Sequence, residues 1–205
     1  MLLNSLLSAA IQMGPRWVAA RSLYEAASRS GLYRLRFWPY SHTTSEPAET
    51  YRQFRHSLVP ALDTKRLRRF YQRHPDLHEH RIATADRVAA GEVQVYDRRF
   101  DLNSGSFNSC PMTGKQWPAG VHGAVYPIHQ PGLGDVKYAW ELNNFHYAPA
   151  LAQAAVLTGE SRYYQAFEQL VSRWIDENPR QSTVNWSSNL EIGVRLFFWC
   201  LTWEL

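Results

Sequence analysis

Asn185-Trp186-Ser187-Ser188-Asn189-Leu190-Glu191-Ile192-Gly193-Val194-Arg195 is a polar loop that runs into a capped helix start. From there Leu190, Val194, Phe197, Phe198, Leu201 and Leu205 recur at helical spacing, which predicts a helix over 187–205. Immediately upstream, Tyr164, Phe167, Leu170, Val171 and Trp174 form the apolar stripe of a helix over 161–177. Asn178-Pro179 stops it, because the residue before a proline is pushed out of the helical region. Further back lies the Leu157-Thr158-Gly159-Glu160 turn, with Gly159 suited to the left-handed residue past a helix end. Before that turn, Trp140, Tyr147, Leu151 and Ala154 predict one helix over 135–157, capped by Asp135 or a neighbour. Pro149 inside it removes a backbone hydrogen bond and is expected to kink it. Repeated helix hairpins with aromatic stripes predict a mainly α fold of the solenoid or toroid kind. Phe197, Phe198, Trp199, Leu201, Trp203 and Leu205 are too many for one narrow stripe, so the last helix is expected to leave an apolar side uncovered.

Four stretches taken together carry a resemblance: Lys137-Tyr138-Ala139-Trp140-Glu141-Leu142-Asn143, the Leu-Thr-Gly-Glu turn, Trp174-Ile175-Asp176-Glu177-Asn178-Pro179, and Asn185 to Arg195. In order and spacing they resemble the heparinase II/III-type polysaccharide lyases, and more narrowly the N-terminal α/α-toroid domain of those enzymes. The resemblance covers residues 95–205 and implies an incomplete (α/α) toroid, truncated at 205, preceded by a helical N-terminal region and a loop-rich connection. The expected domains are therefore 1–90, with a breaker-rich linker near 38–50, and 91–205. In the connection, Gly91 to Tyr96 predicts a short strand, followed by turns at Asn103-Ser104-Gly105 and Pro111-Met112-Thr113-Gly114.

The family cleaves uronic-acid-containing glycans by β-elimination. That chemistry needs a group to neutralise the uronate carboxylate, a base for the C5 proton and an acid for the leaving oxygen. In the resembled lyases the Asn-His pair and the tyrosine assigned to these roles lie downstream of the Asn-Trp loop, beyond Leu205. No catalytic residue is therefore transferred to this chain, and by itself it is expected to be inactive. Substrate-binding positions implied by the resemblance are Asn143, His146, Asn185, Trp186, Glu191 and Arg195. Asn185 and Trp186 read either as a helix-start cap with a sugar-stacking ring or as a buried cap with a core tryptophan. Glu191 and Arg195, four apart, read as a structural pair on one helix face or, for Arg195, as a partner of a substrate carboxylate. His146-Tyr147 stands where family members commonly carry Gln-His, which weakens a ligand role there. A non-catalytic helical module that binds glycans is the alternative, since a fold hosts unrelated functions.

The remaining sequence sets bounds. Its 205 residues include eight tryptophans and eleven tyrosines, as suited to a core as to sugar stacking. A net charge of +4 suits an acidic partner, and the basic excess lies between Arg16 and Arg99. Lys65-Arg66-Leu67-Arg68-Arg69 reads as a solvated basic helix face; no nucleic-acid motif accompanies it. His74, His78, Glu79 and His80 invite a metal reading, since two histidines four apart share a helix face, but Pro75 interrupts the spacing and surface histidines are the better reading; Cys110 and Cys200 give neither metal spacing nor a disulfide framework. No metal and no cofactor is expected. Met1 to Ile11 is apolar without the basic start of a secretory signal, and Pro15 to Ser30 predicts a helix ended by Gly31. Export to the periplasm is implied only by the resemblance, no run reaches the ~20 apolar residues of a membrane span, and the oligomeric state is not legible.

Overall fold

The computed structural model describes residues 63–205 continuously and, nearer the N-terminus, residues 14, 16, 18–20, 22, 23, 26 and 30. The chain divides into two compact units, Met1–Glu46 and Pro47–Leu205. In the first, Arg16, Val18–Ala20, Ser22, Leu23 and Ala26 are helical, within the helix expected over Pro15–Ser30. The stretch Met1–Ile11 and the linker near 38–50 lie outside the described residues. The second unit is mainly helical with a small antiparallel sheet. Among the described residues no helix is long and apolar enough to cross a membrane.

Helix α1, Thr64–Arg73, opens on Asp63, whose carboxylate accepts from the Lys65 amide at 2.9 Å. It buries Tyr71 alone and leaves its basic residues at the surface. Pro75 is tolerated as the first residue of α2, Pro75–Ala89, where no intrahelical N–H is needed. His74 stands at the N-cap of that helix, its carbonyl accepting from the His78 amide at 3.0 Å. His74 packs on Phe70 and His78 on Tyr71, with ring centroids 4.7 and 6.2 Å apart. Among the described residues no three His, Cys, Asp or Glu side chains gather as a metal set.

Strand β1, Glu92–Val95, pairs antiparallel with β2, Arg98–Asp101, in the register Glu92 to Asp101 and Val95 to Arg98. β1 alternates as a half-buried strand should, Val93 and Val95 inward. β2 has only Phe100 partly covered, so it carries no apolar periodicity from which to predict it. The turn between them places Tyr96 at φ 53°, a left-handed conformation uncommon outside glycine, asparagine and aspartate.

The helix expected over 135–157 is two. α3, Val136–Asn143, starts at Asp135, which accepts from the Lys137 amide at 2.9 Å. A turn follows, and α4, Pro149–Thr158, begins on the proline expected to kink a continuous helix. Phe145 holds the break at φ 60°, a strain of about 1–3 kcal/mol. Its ring is fully buried, 5.5 Å from Phe107 and 5.3 Å from Trp199, and burying an aromatic side chain of this size more than offsets that cost. α4 is buried on most of its circumference and packs between α2 and α5, Arg162–Glu177. Gly159, at φ 79°, closes α4 as expected.

The loop after β2 is tied to α5 by charge. Arg173 donates to the carbonyls of Leu102 and Gly105 at 2.6 and 2.5 Å and to Glu177 at 2.6 Å. Glu177 in turn accepts from the Ser106 hydroxyl and the Phe107 amide at 2.8 and 2.7 Å. The last helix, α6, Asn189–Glu204, is capped by the Ser188 hydroxyl, which accepts from the Glu191 amide at 3.4 Å. Leu190, Leu196, Phe197 and Trp203 on α6 remain exposed; of the six residues expected to leave an apolar side uncovered, Phe197 and Trp203 are exposed, Phe198, Trp199 and Leu201 are half-buried, and Leu205 is buried.

Burial raises the phenol pKa of Tyr126 to about 12, raises that of Tyr147 further, and with the hydrogen bond to Asp86 raises that of Tyr163 to about 12. Unfolded tyrosines lose their protons near pH 10, so between there and about pH 12 the native state holds more protons and stability falls as pH rises. Arg195, lowered to about 10 by burial, acts with the opposite sign but is one group against three. The thermal midpoint should therefore drop from about pH 9 to about pH 11 at constant ionic strength; a flat or rising midpoint would contradict the assignment.

Candidate functional site

Three of the residues singled out from the sequence meet inside the protein. Arg195 of α6 is 2% exposed; its Nε donates to the Asn143 carbonyl at 2.9 Å and its Nη2 to the Asn185 carbonyl at 3.0 Å. The guanidinium lies 4.1 Å from the centre of the Trp174 ring. Burial lowers its pKa to about 10, with Glu191 pulling the other way, so it stays charged at neutral pH. The expected Glu191–Arg195 pairing is thus felt through charge, while the guanidinium itself turns inward to the two carbonyls.

The amides around it are largely occupied, although the buried Asn185 Oδ1 has no hydrogen-bond partner in the protein. Asn143 donates to the carbonyls of Phe107 and Ala139 at 2.8 and 2.6 Å and accepts from the Trp174 indole at 2.6 Å. Asn185 donates to the Asn178 side chain at 2.8 Å, which also accepts from the Thr183 hydroxyl at 2.8 Å. The Trp186 indole N–H reaches the Asn178 carbonyl at 3.2 Å, and its ring lies 5.7 Å from that of Trp174. Asn143, Asn185 and Arg195 are therefore enclosed by protein partners, and Trp186 is half-buried against them. As placed, the three buried residues shape whatever surface lies above them without reaching it.

That surface forms where α3 gives way to α4. His146 stands in the break with its Nδ1 3.5 Å from Glu141, and Asn144 donates to the same carboxylate at 3.4 Å. The Asn144 Oδ1 and His146 Nδ1 atoms are shielded and make no hydrogen bond within the protein, as is also true of Trp117 Nε1, Asn185 Oδ1 and Trp199 Nε1. From the other side the β-hairpin turn brings Tyr96, 52% exposed, edge-on to Tyr138 at 5.1 Å. The Tyr138 hydroxyl donates to Asp97 at 3.2 Å. Partial burial raises the Tyr96 phenol above its ordinary pKa, and the charges of Glu141 and Glu191 raise it further. A phenol so placed is a hydrogen-bond donor and a poor base.

Two aromatic rings, two carboxylates, an amide and an imidazole thus frame one patch. Such a set stacks on the apolar face of a sugar ring and accepts hydrogen bonds from its hydroxyls. His146, expected from the sequence, belongs to it, whereas Glu191 acts on it only through its charge. Tyr96, Tyr138, Glu141 and Asn144 belong to it without having been anticipated. Glu141 had a signal, since it sits inside the Trp140-Glu141-Leu142-Asn143 stretch. Tyr96 had none, because its position depends on a hairpin whose second strand is invisible to periodicity. Comparison with protein-family models, curated proteins and solved structures finds no match to this chain.

Removing the Arg195 head group strands two buried carbonyls, each unsatisfied acceptor costing about 1–3 kcal/mol. Arg195→Met should therefore destabilise the protein by about 3 kcal/mol in urea, with the slope of the transition unchanged. Arg195→Lys should recover part of that at most, since an ammonium lacks the planar fork that spans both carbonyls while facing Trp174. A Met variant as stable as the parent would show the guanidinium to be dispensable.

Proposed function

We propose that this chain is the glycan-binding helical portion of a polysaccharide lyase, built on an incomplete α/α-toroid scaffold and acting on uronic-acid-containing polymers by β-elimination. The observation that carries the reading is convergence. Asn143, Trp174, Asn178, Asn185, Trp186 and Arg195 come from three of the four stretches that resemble the heparinase II/III-type lyases, and they meet in one hydrogen-bonded interior. Directly above it sit the aromatic rings, carboxylates and imidazole at the α3–α4 break. A buried structural knot under a solvent-facing patch of sugar-compatible groups supports a carbohydrate site.

Elimination needs a base, and no motif of this chain matches one. Partial burial, and after it the charges of Glu141 and Glu191, raise the Tyr96 phenol above its ordinary pKa, so it is not poised to serve as one. That observation favours a second reading, a helical module that binds acidic glycans without cleaving them. Under both readings the 205-residue chain binds; the two separate on the polypeptide as its own gene encodes it, which only the lyase reading expects to cleave.

The experiment pairs a binding assay with near-ultraviolet absorbance of the unsaturated uronate, over heparan sulfate, hyaluronan, alginate and bacterial capsule glycans, with dextran as a neutral control. The 205-residue chain should bind at least one uronate polymer and produce no absorbance. Tyr138→Ala should weaken binding about fivefold, the loss of an aromatic contact of ~1 kcal/mol. Equal binding to dextran, or none to any uronate polymer, would overturn the reading.

A further inference from the structure

Beside the aromatic patch, on the opposite side of His146, lies a cavity of about 220 Å³ between α2, β1 and the start of α4. Arg81, Thr84 and Arg87 line it from α2, Gln94 from β1, with Tyr147 and Ala150 on the floor. The volume is below the ~300–1,000 Å³ of pockets that enclose a drug-sized ligand, so it suits one functional group of a larger molecule. We propose that this cavity is an oxyanion subsite that takes the acid group, a carboxylate or a sulfate ester, of a single sugar unit bound across Tyr96 and Tyr138.

Charge supplies the first argument. Arg81 uses its Nε on the Tyr71 hydroxyl at 3.0 Å, and Arg87 uses Nη2 on Thr84 at 3.3 Å. A guanidinium carries five N–H donors, so both retain donors for an oxyanion. The one carboxylate in the lining, Glu92, lies 3.6 Å from Arg99 on β2, which compensates its charge from outside the cavity. The lining therefore keeps an excess of positive charge close to Val88, Tyr147 and Ala150, whose apolar surfaces strengthen its effect.

Position supplies the second. The Gln94 side chain donates to the Tyr96 carbonyl at 2.7 Å, so one wall of the cavity is tied to the turn that presents Tyr96. His146 lines the cavity on one side and faces Glu141 on the other. A bound acidic sugar then meets opposite charges at its two edges: Arg81 and Arg87 attract the acid group, whereas Glu141 repels it and accepts from hydroxyls. That polarity selects acidic over neutral sugars and fixes which way round the ring lies. The inference rests on the glycan-binding reading and adds to it which group of the sugar is recognised and where.

The test is a nuclear magnetic resonance titration of the full chain with sodium D-glucuronate, its neutral methyl ester, glucose 6-sulfate and inorganic sulfate. The Gln94 side-chain amide and the His146 ring should shift with glucuronate or with glucose 6-sulfate, whichever acid the subsite prefers, and the ester should bind at least fivefold more weakly. Arg87→Gln, at an exposed position, should weaken the preferred acidic sugar about fivefold, the discounted worth of one partly solvated ionic contact; Arg66→Gln on α1 should leave it unchanged. Equal affinity for the ester and the preferred acidic sugar, an unaltered affinity in Arg87→Gln, or inorganic sulfate binding as tightly as the preferred acidic sugar would each overturn the subsite. Glucuronate binding here without elimination of any polymer by the gene-encoded polypeptide overturns the lyase reading alone. Tyr138-dependent polymer binding with silent Gln94 and His146 signals overturns the subsite alone.

Discussion

A buried cation organises the part of the protein described over residues 63–205. The Arg195 guanidinium joins the last residue of α3, the Asn-Trp turn and the indole of Trp174 on α5, all from α6. Burying a charge costs several kcal/mol unless its donors are satisfied and the field around it is favourable. Here Nε and Nη2 each bond a backbone carbonyl, and the field is favourable. Asn143 ends α3, where carbonyls lack intrahelical partners and the helix dipole is negative, so a cation is favoured there. The indole face contributes a further attraction that grows when water is excluded.

The break between α3 and α4 follows from the same arrangement. A continuous helix would carry the 144–148 backbone along α3 and away from Arg195. Instead the chain turns through Phe145, whose ring fills the space among Phe107, Tyr147 and Trp199. Asn143 stitches this region to the loop before α3 through the Phe107 carbonyl, and Arg173 and Glu177 fasten that loop to α5. The surface consequence is that Glu141, Asn144 and His146 stand at a fixed corner instead of on a smooth helix side. Sites placed on rigid supports of this kind keep their geometry when a ligand arrives.

Much of the helical layout was legible because its signals are local. Gly159, Asn178-Pro179 and the Ser188 cap act within a turn of where they stand, and the limits of α5 and α6 follow from them. Pro149 shows the boundary of such reasoning. A proline lacking an N–H is equally at home kinking a helix or beginning one, and the choice rested on Phe145 and Asn143 finding partners more than thirty residues away. The long-range hydrogen bonds of Asn185 and Arg195 were illegible for the same reason: four-residue spacing offers Arg195 a neighbour in Glu191, while its preferred acceptors lie on other elements. β2 left no trace because its residues face solvent, and with it went the placement of Tyr96.

The central claim is that Arg195 holds the α3–α4 corner through contacts across the chain, and native-state hydrogen exchange in the Arg195→Lys variant tests it directly. The amides of Ala148 and Leu151, which donate to Phe145 and Ala148 within the corner at 2.9 Å each, should lose protection together with those of α6 while α1 is unaffected. Loss of protection confined to α6, with the corner as slow to exchange as in the parent, would contradict the account.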